Sequence, residues 1–213
     1  MARLSLAERS RIALIAAKRS QRAHVARLLF SPVLRWRFGS SSIGHLLIVP
    51  QDLRTADPSL WQELRIGQLG LAGIVAELRD RSPLEIRPPN DAWARSLHGF
   101  SWLRHPEAAG EDGARDMARR LTVEWTIRQR NGMGIAWEPA VIGRRIISWI
   151  SHANFLLDGA DEATYDAITR SLGSQLVRLS ASWRDGPDGY PRLLALPALV
   201  LANLCIADHA RQL

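Results

Sequence analysis

The chain has 213 residues, of which 46% are hydrophobic and 23% are charged, and its net charge is +7. These proportions are typical of a globular protein with a sizeable core, and they exclude a chain that is disordered throughout. The length allows one or two domains. Cys205 is the only cysteine, which excludes an internal disulfide, and its apolar neighbours predict a buried thiol in a reducing compartment.

The positive charge is concentrated at the N-terminus. Residues 1–50 hold eight arginines and Lys18 against one acid, Glu8, so the rest of the chain is nearly neutral. Lys18 is also the only lysine, and arginine replaces lysine even where no bidentate partner is evident. We interpret the arginine content as a chain-wide preference for arginine over lysine rather than as a sign of phosphate recognition, and we expect no nucleic-acid partner.

The first predicted element is a helix over residues 6–30 with arginines around much of its circumference. Two interpretations stay open: a solvated, partly packed helix, or a surface that docks anionic lipid or nucleic acid. The apolar run Ile12 to Ala17 is too short for a signal peptide and is followed directly by Lys18. The longest apolar run, Leu193 to Ala207, is about fifteen residues, whereas a membrane span needs about twenty. We therefore expect a cytoplasmic protein without a transmembrane segment, with a periplasmic location left open.

Glycine, serine and proline interrupt the helical pattern between residues 39 and 90. Short strands are predicted only within residues 40–87, at His45 to Val49 and at Gly67 to Leu78. A proline-rich linker then leads to an N-cap candidate, Asn90 or Asp91. The chain is therefore divided into a basic N-terminal helical arm (1–38), an irregular segment (39–90) and a helical portion (91–213).

Apolar residues at helical spacing predict successive helices from residue 91 onward. Short loops between them predict antiparallel pairs, and the lack of a strict period excludes a consensus solenoid. The residues that define the five helices are Trp93, Leu97, Phe100 and Arg104; Ala114, Met117, Ala118, Leu121 and Trp125; Pro139 to Leu157; Tyr165, Ile168, Leu172, Leu176, Leu179 and Trp183; and the apolar run from about Arg192.

The third of these helices carries a family resemblance. It is similar to the pattern Trp-x-Pro-Tyr-x-x-Ser-x-Arg-x-x-Asn-Trp of the helical toroid of heparinase II/III-like polysaccharide lyases. The matching residues are Trp137, Pro139, Arg145 and Trp149, and those that depart are Ala140, Gly143 and Ser148. The stretches Val49 to Pro58 and Leu97 to His105 also resemble this family. The resemblance implies a mainly all-α chain that forms an incomplete (α/α) toroid.

The resemblance also implies β-elimination on a polysaccharide that contains uronic acid. In that reaction a base removes the C5 proton, a cation neutralises the carboxylate and an acid protonates the leaving oxygen. The family's β-rich second domain has no room in this chain. We therefore expect an N-terminal portion that binds acidic polysaccharide and is inactive alone, with the apolar face of Leu193 to Ala207 left open to self-association.

The candidate site residues follow from the same resemblance. Tyr190 is a weak catalytic candidate, because Gly189-Tyr190-Pro191-Arg192-Leu193 stands where the family carries Gly-Asn-His-Leu-Leu. Aromatic faces stack on sugar rings, and Arg145 precedes Trp149 by one helical turn, where it would pair with a uronate carboxylate. For each tryptophan alone, core packing is the favoured interpretation, and for Arg145 a surface or structural ion pair is an equal alternative. The substrate-binding candidates are Trp102, Trp137, Arg145, Trp149 and Arg192.

No metal or other cofactor is expected. His98 and His105 lie about 10 Å apart along a helix, too far to share a metal without further ligands. A second hypothesis is a helical interaction module, not an enzyme, whose basic arm binds anionic partners.

Overall fold

The computed structural model describes residues 46–130 and 132–207, together with residue 43 and seven positions between 8 and 21. Those seven positions are helical, but most of the predicted helix over residues 6–30, and with it most of the arm 1–38, lies outside the described residues. Nothing in the described part is both long and apolar enough, as a helix, to cross a membrane.

Residues 46–207, without residue 131, hold eight α-helices and one two-stranded sheet. The prediction of a mainly helical protein is therefore confirmed. The helices are α1 (Ser59–Arg65), α2 (Asp91–Gly99), α3 (Arg104–Ala109), α4 (Asp112–Arg128), α5 (Pro139–Ser151), α6 (Ala153–Leu157), α7 (Glu162–Ser182) and α8 (Tyr190–Cys205); the strands are β1 (Gln68–Leu71) and β2 (Ile74–Glu77).

The strand prediction over residues 67–78 is confirmed by the hairpin of β1 and β2, which pair antiparallel from Gln68 and Glu77 to Leu71 and Ile74. Positive φ angles at Ala72 and Gly73 suit the two-residue turn of a hairpin. The strand predicted at 45–49 is wrong, because its described residues form only an isolated bridge, Leu46 to Ile206. The sequence interpretation also missed α1, which buries Trp61 and Leu64.

The first predicted helix, from Trp93 to Arg104, is broken in two. Phe100 adopts a φ of +57°, a left-handed conformation that ends α2, and a short 3-10 turn over Ser101–Leu103 leads into α3. The Phe100 ring packs edge-on against Trp125 and Trp149, with ring centroids 5.9 and 5.4 Å away. Tertiary aromatic contacts therefore accompany a conformation that a lone phenylalanine would disfavour.

Helix α5 lies at the centre of the fold. It begins with Pro139, whose missing N–H has no intrahelical partner there, and it ends at His152, which separates it from α6. It packs against α2, α7 and α8. At Gly143 a Cβ atom would lie 3.1 Å from the Cα of Ala195 and from the carbonyl oxygen of Leu194, so any other residue would require α8 to move away by a few tenths of an ångström.

The core is unusually aromatic where α2, α4 and α5 meet. Phe100, Trp125 and Trp149 form mutually edge-on pairs, and Trp125 also packs against Trp137 at 5.7 Å. Edge-to-face pairs at such distances place the positive ring edge on the negative face. The buried guanidinium of Arg145 lies against this aromatic cluster.

Candidate functional site

Two of the predicted sugar-binding residues lie in the core. Trp102 and Trp149 are buried, with 4% and 1% of their surface exposed. The indole N–H of Trp102 donates to the carbonyl of Leu97 at 3.0 Å, and the Trp149 ring sits between Phe100 and Trp125. Neither side chain is presented to a ligand at the surface.

Arg145 is fully buried, and its charge lies on aromatic faces. Its guanidinium carbon is 3.9 Å from the centroid of Trp125 and 5.5 Å from that of Trp137. The sequence predicted Trp149 as its neighbour, whereas the two closest rings are contributed by α4 and by the turn before α5. Burial, followed by the nearby charge of Arg178, lowers the pKa of Arg145 well below its usual range.

The hydrogen bonds of Arg145 all go to uncharged acceptors. Nη1 donates to the carbonyls of His98 and Ala136 at 2.8 and 2.9 Å, and Nε donates to Oε1 of Gln175 at 2.7 Å. Nη2 is buried and has no hydrogen-bond partner among the described residues. Gln175 in turn donates from Nε2 to the hydroxyl oxygen of Ser171 at 3.1 Å. A polar chain thus runs from the buried guanidinium to a serine nearer the surface.

A cleft of about 420 Å³ opens between the C-terminal end of α4 and the face of α7. It is called the α4–α7 cleft here. Trp137 is half-buried in its wall, and Arg178 lies over that ring, 4.4 Å from the centroid, and donates to the carbonyl of Gly132. The lining residues are Trp125, Thr126, Gln129, Arg130, Gly132, Trp137, Ala163, Asp166, Ala167, Arg170, Ser171, Ser174 and Arg178.

The α4–α7 cleft has an excess of positive charge. Three arginines line it, and the one acid in its lining, Asp166, forms an ion pair with Arg170. Burial lowers the pKa of Arg178 to about 10, so this group stays protonated at neutral pH. Such a cleft favours an anionic ligand over a cationic one.

A second charged cluster joins three parts of the chain. The buried His152 ring lies between Asp52 and Glu107, with Nε2 3.3 Å from Oδ2 of Asp52 and Nδ1 in close contact with Oε2 of Glu107. Arg54 holds both oxygens of Asp52, at 2.8 and 2.6 Å. These hydrogen bonds hold the pKa of the Asp52 carboxyl well below its usual range. We interpret this cluster as a clamp that fixes the segment before α1 to α3 and to the α5–α6 junction.

Tyr190 and Arg192 lie apart from both clusters. Tyr190 begins α8, and 65% of its surface is exposed. Arg192 pairs with Asp188 at 2.5 Å and donates to the carbonyls of Arg184 and Gly186. It therefore ties down the turn that precedes α8. Of the predicted site residues, Trp137 alone lines the α4–α7 cleft, and Arg145 lies behind its wall.

Sequence reasoning missed Trp125, Gln175 and Arg178. The sequence assigned Trp125 to an apolar stripe, and only the fold shows that its ring also packs against the guanidinium of Arg145. Gln175 offered a signal, because it is a polar residue on the buried face of α7 between Leu172 and Leu176. In the described residues, no group of three or more histidine, cysteine or acidic side chains is placed to hold a metal ion.

These features define a helical protein with a buried arginine–tryptophan core and a cation-lined cleft. The chain is 32% identical over 127 residues to FtsZ-localized protein C of Caulobacter vibrioides (strain NA1000 / CB15N). The match covers 59% of this chain and 22% of that protein, so the chain corresponds to only about a fifth of its relative's length. No family model matches the chain. No solved structure matches it either.

The prediction of a heparinase II/III-like polysaccharide lyase is therefore wrong. The curated relative is an FtsZ-localized protein, and no family model supports lyase activity or carbohydrate binding. The alternative of a basic-arm interaction module gains no support from these comparisons. The physical reason for the misleading motif is visible in the fold: tryptophan and arginine at helical spacing build the buried core around Arg145 and Trp149.

Proposed function

We propose that this chain acts in an FtsZ-associated assembly, in a role related to cell division. The observation that carries the proposal is the 32% identity over 127 residues to a protein named for its localisation with FtsZ. The proposal concerns this chain alone, since the match covers 22% of the relative. Recruitment to such an assembly requires a surface that contacts another protein. The α4–α7 cleft offers one with defined chemistry.

Localisation in cells tests this proposal. A fluorescent fusion of the chain, expressed in Caulobacter vibrioides together with labelled FtsZ, is expected to overlap with FtsZ and to disperse when FtsZ is depleted. A fusion of FtsZ-localized protein C is the positive control. A uniform distribution of the chain beside a correctly placed control would contradict the proposal.

Co-pelleting with purified FtsZ asks whether the association is direct. We expect the chain to sediment with FtsZ filaments assembled with GTP and to stay in the supernatant with unassembled FtsZ. If the fusion overlaps with FtsZ in cells but the chain does not pellet with filaments, the recruitment passes through another protein.

We further propose that residues 91–213 form one helical portion of antiparallel pairs, arranged as an incomplete toroid and following the arm 1–38 and the segment 39–90. The segment packs on this portion, because Leu69 and Leu71 are buried and the indole N–H of Trp93 points to the carbonyl of Leu69 at 3.4 Å. We therefore expect a chain that starts at residue 91 to be less stable than one that starts at residue 46, as measured by thermal unfolding.

A further inference from the structure

Arg145 carries a buried positive charge without a carboxylate beside it. Its described hydrogen-bond acceptors are two carbonyls and the Gln175 amide, and no ion pair involves it in the described part of the chain. Nη2 has no hydrogen-bond acceptor there. A buried cation is costly unless an anion or a full set of hydrogen bonds compensates it. An anion bound nearby would therefore be stabilised by this charge.

The α4–α7 cleft shares two aromatic rings with that charge. Trp125 and Trp137 form part of its wall, and Arg145 lies against the same two rings. The Ser171 hydroxyl lines the cleft and accepts an N–H from Gln175, which leaves its own proton for an acceptor in the cleft. Arg178 adds a second guanidinium on the cleft side of Trp137.

We propose that the α4–α7 cleft binds a carboxylate of an acidic peptide segment in a protein partner. The protein nature of the partner rests on the FtsZ-associated role proposed above. Arg178 and Ser171 would receive the carboxylate oxygens, because charge-assisted hydrogen bonds from arginine are among the strongest available. The half-buried Trp137 beside Arg178 would add contact area for an apolar side chain next to the acid, since tryptophan contributes large contact area at protein interfaces.

The cleft fits a peptide carboxylate better than a phosphate group. Its volume of about 420 Å³ is that of a small-ligand site, so it would hold the acidic side chain and its neighbour rather than a longer stretch of the partner. Asp166 in the lining is an acid that forms an ion pair with Arg170. Its negative charge would repel a doubly charged phosphate more strongly than a singly charged carboxylate. A single carboxylate needs only one guanidinium and one hydroxyl.

Fluorescence anisotropy of labelled peptides tests the proposal with the full chain. The probe is fluorescein-labelled Leu-Glu-Phe-Glu-Leu-amide, and the matched control replaces both glutamates with glutamine. We expect the acidic peptide to bind at least about tenfold more tightly, the smallest effect expected of a sheltered charge-assisted contact. Equal binding of the two peptides would overturn the proposal.

A substitution that adds a carboxylate to the cleft distinguishes binding of the acidic peptide in the cleft from a general attraction to the basic chain. Ser174 is exposed on the cleft face of α7, one turn from both Arg170 and Arg178. We expect Ser174→Glu to weaken the acidic peptide by about tenfold or more, because the new carboxylate competes for the same cations. The control is Ala92→Glu, an equal charge change at an exposed position of α2 outside the cleft lining, and it should change binding by less than about twofold.

Three further outcomes are decisive. If Ser174→Glu binds the acidic peptide as tightly as the unmodified chain does, the cleft is not the site. If inorganic phosphate displaces the peptide at concentrations where acetate does not, the site is a phosphate site and the peptide proposal fails. If the peptide pattern is as expected but the chain neither overlaps nor pellets with FtsZ, the acidic-peptide site stands and the FtsZ-associated role fails.

Discussion

The guanidinium carbon of Arg145 lies 3.9 Å above the ring of Trp125, inside the core rather than at the surface. The contact joins α5 to α4, and the hydrogen bond from Arg145 to Gln175 extends it to α7. One charged side chain thus connects four helices, α2, α4, α5 and α7, through an aromatic face and through hydrogen bonds to backbone and amide oxygens. Arginine suits this position because its planar group can stack and donate at the same time.

Removal of this side chain should destabilise the fold strongly. We expect Arg145→Ala to lower the free energy of unfolding by about 3 kcal/mol or more, because it leaves a cavity and three buried acceptors without a donor. Urea unfolding followed by tryptophan fluorescence measures the change. Arg65→Ala, at an exposed arginine 6.0 Å from the Trp61 ring, is the control and should cost about 0.5 kcal/mol or less. Equal losses in the two variants would contradict the structural role of Arg145.

Burial makes His98 a source of acid sensitivity. Its Nδ1 accepts the indole N–H of Trp125 at 3.1 Å, and burial, followed by the charge of Arg145, lowers the pKa of His98 from 6.5 to about 4. Between pH 6.5 and 4 the unfolded chain therefore binds a proton at this residue that the folded chain does not, so stability decreases as the pH falls through this range. The loss from this group is about 3 kcal/mol by pH 4.

The measurement is urea unfolding at several pH values, with His98→Asn for comparison. Asparagine keeps an acceptor for Trp125 but does not titrate, so the decrease in stability between pH 6.5 and 4 should become shallower. An unchanged pH dependence in the variant would show that His98 is not the titrating group.

The close approach of α5 and α8 depends on Gly143. We expect Gly143→Ala to lower the free energy of unfolding by about 1 to 3 kcal/mol, because the added Cβ would lie 3.1 Å from backbone atoms that cannot rotate away. Gly113→Ala in α4 is the matched control, since its Cβ would meet only the Trp61 ring at an ordinary 3.5 Å. That variant should be neutral or more stable by up to about 1 kcal/mol. Stabilisation of both variants in thermal unfolding would rule out the tight contact.

Several elements could be predicted from the sequence, and the misses have a common cause. The stripe from Ala114 to Trp125 identified α4, because local spacing alone predicts an amphipathic helix. The breaks at Phe100 and His152 have no local signal, since contacts from Trp149, Asp52 and Glu107 hold these residues in place. The sequence placed Arg145 on the correct helix but predicted a ligand-binding position for a side chain that is buried. Helical spacing shows which residues share a face and not whether another element covers that face.

An exposed apolar stripe on α8 predicts self-association. We expect a concentration-dependent dimer in sedimentation velocity, formed by antiparallel contact between the stripes of two copies, because apolar patches of this kind favour association. The residues of the stripe are Tyr190, Leu193, Leu196, Val200 and Leu204.

Val200→Glu places a charge in the middle of this stripe and should shift the protein to a monomer. Val200 is 58% exposed, so the change should leave the fold of a single copy intact. Ala92→Glu, with the same charge change on α2, should dimerise as the unmodified chain does. A monomer at every concentration of the unmodified chain would contradict the prediction.

The isolated bridge between Leu46 and Ile206 brings the two ends of the range 46–207 together. The amide N–H of Leu47 donates to the carbonyl of Cys205 at 2.7 Å, so residues 46–47 and residues 205–206 hold each other in place. Their pairing requires almost the whole intervening chain to be in position first, because the entropy of closing so long a loop must be offset by contacts already made. Removal of either segment should therefore destabilise the other, because each is the hydrogen-bonding partner of the other. A circular permutant that joins the two segments across the bridge should retain the fold.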